Sequence, residues 1–190
     1  MRTVVASIFM SIDNIMVAKN EDMSWVLDDF DAQGMGSDMS TVMANMDTIL
    51  LGRTTYDIMT GYWPGVTEDE APGASKMNET PKVVFSHSLK TATWGHYDNA
   101  RVAGADLEAE VKDLKAQPGK DMVIFGSASI VRQLTELGLV DEYKLWLHPV
   151  ILAEGKPLFS DLKRRHRLDL TQTKSYANGV VLLNYRKMQQ

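Results

Sequence analysis

DMVIFGSASIVRQLTELGLVDEYKLWLHPVILAEGKPLF, residues 121–159, is the stretch from which the fold is read. Met122–Phe125 is a short apolar run suited to a strand buried on both faces. It stops at Gly126, and Ser127-Ala128-Ser129 opens a helix with Ile130, Val131, Leu134 and Leu137 on one side and Arg132, Gln133 and Glu136 on the other. Gly138 is a C-terminal stop, and Tyr143–Leu152 reads as a second strand. A strand–glycine–helix–strand unit aims free backbone N–H groups and the positive helix end at the carboxyl edge of a sheet, a geometry that binds phosphate. No carboxylate occupies the first turn from Ser127 to Ile130. Ser127 has two readings at this point: a plain N-cap, or one wall of a ligand cradle.

Outward from this unit, helical and strand patterns alternate, which points to an α/β layer architecture in a single domain spanning residues 1–190. The chain is apolar from its start as far as Met10, giving a first strand. Ile12–Gly36 is rich in Asp, Asn and Gly and reads as an irregular covering segment around Trp25 with a short helix inside it. Ser37 is placed as the cap of a helix whose Met39, Val42, Met43 and Met46 form a core stripe. Thr48–Leu51 and Lys82–Phe85 are short strands, Val102-Ala103 marks a further one, and Gly61–Pro81 reads as a long surface loop. Leu107, Val111 and Leu114 mark a solvent-facing helix ended by Pro118-Gly119. Leu168–Tyr176 and Val180–Lys187 flank Asn178-Gly179, the sequence signature of a hairpin. The expected sheet is therefore mostly parallel with an antiparallel tail.

Composition excludes several classes. Cysteine is absent, which removes disulfides, thiolate nucleophiles and cysteine-based zinc sites. Twelve methionines fit a reducing interior, so a cytoplasmic location is expected. The net charge of −5 argues against a nucleic-acid binder, and no apolar run is long enough for a membrane span. The basic cluster Lys163-Arg164-Arg165-His166-Arg167 reads as a solvated loop. His87, His96, His148 and His166 lack metal-ligand spacing, so no metal is expected. Hydrolase, Walker and zinc-deaminase motifs are missing.

Three buried strands end in small or hydroxylated residues: Gly52-Arg53-Thr54, Ser86-His87-Ser88 and Gly126-Ser127-Ala128. Arg53, in the first turn of a helix, meets the macrodipole with the wrong sign, at a cost of about 0.3–1 kcal/mol that a bound anion would reverse. The competing reading pairs Arg53 with Asp57 one turn on. Two separated anion sites on one sheet edge suit NADPH, although the GxGxxG fingerprint of an ordinary Rossmann domain is missing.

Ser11-Ile12-Asp13-Asn14, Ile49–Asp57 (ILLGRTTYD), Val83–Ser86 (VVFS), Gly126-Ser127-Ala128, Gly138–Glu142 (GLVDE) and Pro149–Leu152 (PVIL) occur in order. The chain resembles, over nearly its whole length, the dihydrofolate-reductase-like family that includes the reductase domain of bacterial riboflavin biosynthesis. The resemblance implies a three-layer fold, a mixed and mostly parallel central sheet flanked by helices, closed by the antiparallel C-terminal hairpin. It implies NADPH across the sheet edge, with Gly52, Arg53 and Thr54 at phosphate oxygens, Ser86, His87 and Ser88 near the 2′-phosphate end, and Gly126, Ser127 and Ala128 against the pyrophosphate. Asp13 would border nicotinamide and substrate. The sequence departs from the family at three points: Asn14 and Ala153 stand where glycine is usual, and Asp57 where glutamate is common.

The expected activity is hydride transfer to a C=N or C=O group of a small pterin-, folate- or pyrimidine-like heterocycle. Hydride transfer asks the protein mainly to align two carbons and exclude water, with a proton supplied to the acceptor. Asp13 and Asp29, with Asp28 beside it, are the candidate proton sources or relays. Asp13, Trp25 and Tyr56 are the expected substrate contacts, and Tyr62 and Trp63 are further aromatic candidates for the slot. The alternative is a nucleotide-binding regulatory protein of the same fold without catalysis. A homodimer through the strand 143–152 or the terminal hairpin is also expected.

Overall fold

The computed structural model describes residues 1–28 and 30–188. Its strands are Val4–Ser11 (β1), Ile15–Ala18 (β2), Met46–Gly52 (β3), Lys82–Phe85 (β4), Ala100–Val102 (β5), Asp121–Gly126 (β6), Glu142–His148 (β7), Gly155–Pro157 (β8), Leu168–Ser175 (β9) and Val181–Lys187 (β10). Its helices are Ser24–Asp28 (α1), Gly34–Asn45 (α2), Arg53–Thr60 (α3), Ala74–Glu79 (α4), Leu107–Ala116 (α5) and Ala128–Glu136 (α6). Eight strands form one sheet in the order β5-β4-β3-β6-β1-β7-β10-β9, and β2 pairs with β8 in a separate small ribbon. From β5 to β7 every pairing is parallel, and β10 and β9 close the sheet antiparallel.

The parallel strands are apolar on both sides because both faces are covered. Ile49, Leu50 and Leu51 of β3 have no exposed surface, and burial of each such side chain stabilises the fold by about 1.5–3 kcal/mol. On one face Val111 and Leu114 of α5 and Ile130, Val131 and Leu134 of α6 pack over Ala6, Ile8, Met122 and Ile124. On the other, Met35, Met39 and Val42 of α2, Tyr56 of α3 and Met77 of α4 cover Val5, Ile49, Leu51 and Val123. This is the three-layer arrangement, and the alternation of strands and helices accounts for it.

The structure corrects four local readings. The helix placed from Ser37 begins at Gly34, because the Asp31 carboxylate accepts the N–H groups of Gln33 and Gly34 at 3.0 Å each. The segment Ile12–Gly36 holds a strand, β2, as well as a helix. The 61–81 loop contains α4, whose Met77 is buried. The strand read to Leu152 stops at His148, since Pro149 has no N–H for the ladder. Asn178-Gly179 does join β9 to β10, with Gly179 at φ 88°.

Candidate active site

Because β4, β3, β6, β1 and β7 run parallel, their carboxyl ends lie along one edge of the sheet. That edge brings Ser86, Gly52-Arg53, Gly126-Ser127, Ser11–Asp13 and His148 into a row. In the centre, β3 and β6 approach so closely that side chains are excluded. A Cβ at Gly52 would lie 2.0 Å from Ser127 Oγ and 2.9 Å from Ile130 Cγ1. One at Gly126, where φ is 146°, would lie 2.6 Å from Thr55 Oγ1 and 2.7 Å from Met16 Cε. Glycine at both tips is therefore a packing requirement.

Both helices that spring from these tips have uncapped amino ends. Gly52 is the N-cap of α3 and offers no side chain. Ser127 is the N-cap of α6, but its hydroxyl makes no cap bond and instead lies 2.8 Å from Ser129 Oγ. The simple-cap reading of Ser127 is thus not what the geometry supports. The first-turn N–H groups of both helices, and the positive ends of their dipoles, converge on the same short stretch of edge. Arg53 and Thr54 are exposed beside them. Arg53 Nε donates to both carboxylate oxygens of Asp57, at 2.8 and 2.7 Å, as the competing reading anticipated. Its terminal amino groups have no partner among the described residues, which leaves the outer fork of the guanidinium unspent. This donor set, two open helix ends and a free cationic fork, fits a polyphosphate-bearing cofactor.

One strand further, Ser86 Oγ accepts the N–H groups of Ser88 and Leu89 at 3.3 and 3.1 Å, turning the chain sharply away from β4. His87 and Ser88 are exposed on that turn. The chain beyond it is fixed by Tyr56, whose hydroxyl donates to the Thr93 carbonyl (2.8 Å) and accepts the Thr93 N–H (2.9 Å). Tyr56 is buried, with its ring against Trp94. Its polar atom is committed to the loop, so the structure gives this expected substrate contact a supporting position instead. From below, the buried Lys82 ammonium sits 4.3 Å over the Trp94 ring and donates to the Asn78 carbonyl, and Asn78 in turn accepts the Trp94 N–H at 2.9 Å. Burial lowers the Lys82 pKa to about 7.

On the other side of the centre, Asp13 is bound rather than open. Its carboxylate accepts Ser11 Oγ (2.5 Å) and the N–H groups of Leu152 (3.2 Å) and Ala153 (2.8 Å). The Ser11 hydrogen bond, with the two backbone bonds, holds its pKa below the ordinary carboxylate value. It is ionised at neutral pH and has no proton to give. Asn14 takes the left-handed backbone its type permits, at φ 69°, and its side chain bonds the Phe159 carbonyl and N–H at 2.9 and 3.1 Å. Ala153 is also left-handed, at φ 62°, where glycine would be unstrained.

Residues 2–182 match the RibD C-terminal domain family. The chain belongs to that family. It is 35% identical to the Bacillus subtilis protein YyaP over 190 residues, covering 97% of this chain and 94% of that one. A Shewanella sp. PV-4 protein assigned to riboflavin biosynthesis superposes with a TM-score of 0.83 over the full length of both chains at 18% identity. The Thermotoga maritima diaminohydroxyphosphoribosylaminopyrimidine deaminase/5-amino-6-(5-phosphoribosylamino)uracil reductase superposes with a TM-score of 0.71 at 13% identity, over 98% of this chain and 57% of that one.

In this RibD C-terminal domain the aromatic wall beside Asp13 differs from the one expected. Trp25 is buried, its ring edge-on to His148 with centroids 5.1 Å apart. His148, discounted in the sequence for want of metal spacing, is fully buried at the end of β7 and also meets Phe9 edge-on at 5.6 Å. Its position opposite Ser11 follows from the register of β1 and β7, which no local sequence signal specifies. Tyr62 is exposed and meets Trp63 edge-on, with ring centroids 5.3 Å apart. Asp28 is exposed at the end of α1, and Asp29 lies outside the described residues. Among the described residues no cluster of His, Asp or Glu could hold a metal ion, and no helix is long and apolar enough to cross a membrane.

Proposed function

We propose that this RibD C-terminal domain is an NADPH-dependent reductase that delivers hydride to a C=N or C=O group of a small pterin-, folate- or pyrimidine-like heterocycle. The observation carrying this reading is the meeting of two uncapped helix amino ends at Gly52 and Gly126 beside the free fork of Arg53. When bound, NADPH supplies the hydride; the protein's part is to hold and align it. In this reading Gly52, Arg53 and Thr54 hold phosphate oxygens, Gly126, Ser127 and Ala128 border the pyrophosphate, and Ser86, His87 and Ser88 receive the 2′-phosphate end. Asp13 holds the 149–154 loop against the first strand and so shapes the floor where nicotinamide and substrate meet. Proton delivery is assigned to Asp29. Twelve methionines and no cysteine make a cytoplasmic setting the expectation. Strand β7 is flanked by β1 and β10 and offers no edge, so the expected homodimer would form through the terminal hairpin, whose β9 is an edge strand.

The test is turnover. Incubation with NADPH and a panel of pterins, aminouracils and folates is expected to show loss of the reduced-nicotinamide absorbance with at least one of them. In an Asp29→Asn variant the turnover rate is expected to fall while cofactor affinity holds. Tight NADPH binding with no turnover across the panel favours the second reading, a nucleotide-binding regulatory protein. The ionised, fully bonded state of Asp13 is the observation on its side.

A further inference from the structure

At the end of α6 remote from the strand tips, the chain forms a groove of about 810 Å³ lined by Arg164, Arg165, Arg167 and Lys187. Nine residues of helix at 1.5 Å each put it about 13 Å from Ser127. The volume lies within the range of small-molecule sites.

The run 163–167 reads in the sequence as a solvated loop, but its arginines do not behave alike. The protein has eight arginines. Six of them bond to a carboxylate, a hydroxyl or a carbonyl: Arg2, Arg53, Arg101, Arg132, Arg164 and Arg186. The two without a partner among the described residues, Arg165 and Arg167, line this one groove. Two carboxylates near it, Glu136 and Asp141, are already engaged. Glu136 accepts the Lys163 N–H at 2.8 Å and faces Arg164 and His166, and Asp141 faces Lys115 and Lys187. The negative end of α6 is neutralised as well: Arg164 donates to the Glu136 carbonyl (2.6 Å) and Lys187 to the Gly138 carbonyl (2.7 Å). These bonds hold the loop in place and leave two guanidinium forks uncommitted. Beneath them Leu137, which is 39% exposed, Val140 and Met188 supply an apolar floor.

We infer that this groove is a second ligand site, for a small phosphomonoester carrying a flat or apolar body. Two free forks match a dianionic phosphate, which arginine engages bidentately. A bare inorganic anion would leave the apolar floor unused. A nucleic acid would need a longer basic track than one five-residue run on a protein of net charge −5. The site is independent of the reductase reading.

Adenosine monophosphate is the probe, read by methionine-methyl NMR on the full chain. Met188 lines the groove, and Met16 lies beside Gly126 on the strand-tip edge, so the two sites report separately. AMP is expected to shift the Met188 methyl saturably, and adenosine at equal concentration is not. An Arg165→Glu/Arg167→Glu variant should weaken the Met188 response on the order of a hundredfold while keeping the Met16 response to NADPH, which verifies its fold. A Met188 methyl unmoved by millimolar AMP, an equal response to adenosine, or an unchanged response in the double variant overturns the inference. Loss of the Met16 response to NADPH with the Met188 response retained would instead count against the reductase reading alone.

Discussion

The two halves of the sheet edge are built on opposite plans. At the tips of β3 and β6 the contact is made by glycine backbone and the helix ends carry no side-chain caps. Apart from the Arg53 Nε bonds to Asp57, the side-chain donors of Arg53 have no partner among the described residues. At the tip of β1, a few ångströms of sheet away, side chains do the bonding: Asp13 takes the N–H groups of Leu152 and Ala153, and Asn14 pairs with Phe159. One half leaves its polar capacity open, and the other spends it on its own loops. Buried or converging donors left open in a native fold point to a ligand, whereas donors already satisfied point to architecture.

The difference can be broken most forcefully at Gly126. A Gly126→Val side chain would drive into Thr55 and Met16 at a positive φ, so NADPH binding is expected to vanish, with a stability loss of about 1–3 kcal/mol. A normal thermal shift with NADPH in that variant would show that the close tips are not the cradle. Arg53→Ala should separate binding from stability. Its exposed pair with Asp57 contributes only about 0.3–0.5 kcal/mol, yet NADPH affinity measured by titration should drop about tenfold or more.

The β1 half predicts the reverse pattern. Asp13→Asn is expected to lower the melting temperature and speed amide exchange at Leu152 and Ala153, while NADPH affinity changes by less than about threefold. The sign with pH follows from the depressed pKa of Asp13. Its contribution is present above the unfolded carboxylate value and is lost as pH falls through the lower folded value, so wild type and variant should converge in acid. An equally large loss of cofactor affinity would make Asp13 part of the open half. The smallest effect is expected at Ala153, where relief of a left-handed alanine by Ala153→Gly should add about 0.5–1 kcal/mol, visible as a raised melting temperature.

The open half was legible in the sequence because glycine and serine after a buried strand are local signals. Gly52, Gly126 and Ser127 stand where the pattern of residues 49–57 and 121–137 puts them. Arg53 was legible as a choice between anion and Asp57, and the structure shows its Nε at Asp57 with the fork left over. The closed half was not legible. Asp13 is expected from the sequence as a proton source or relay, yet its bonds reach residues 139 and 140 positions away, which nothing local in the sequence signals. His148 and Trp25 meet only through the register of β1 and β7 and the return of α1 over the sheet. The helix α4 escaped notice because six residues with one buried methionine give too little periodicity to read.

The central claim, that the open tips form a cradle for a nicotinamide dinucleotide bearing a 2′-phosphate, is tested most directly by calorimetric titration of the wild-type protein with NADPH and with NADH. The account predicts one NADPH per chain, bound at least about tenfold more tightly than NADH. Equal affinity for the two, or no heat with either, would contradict it.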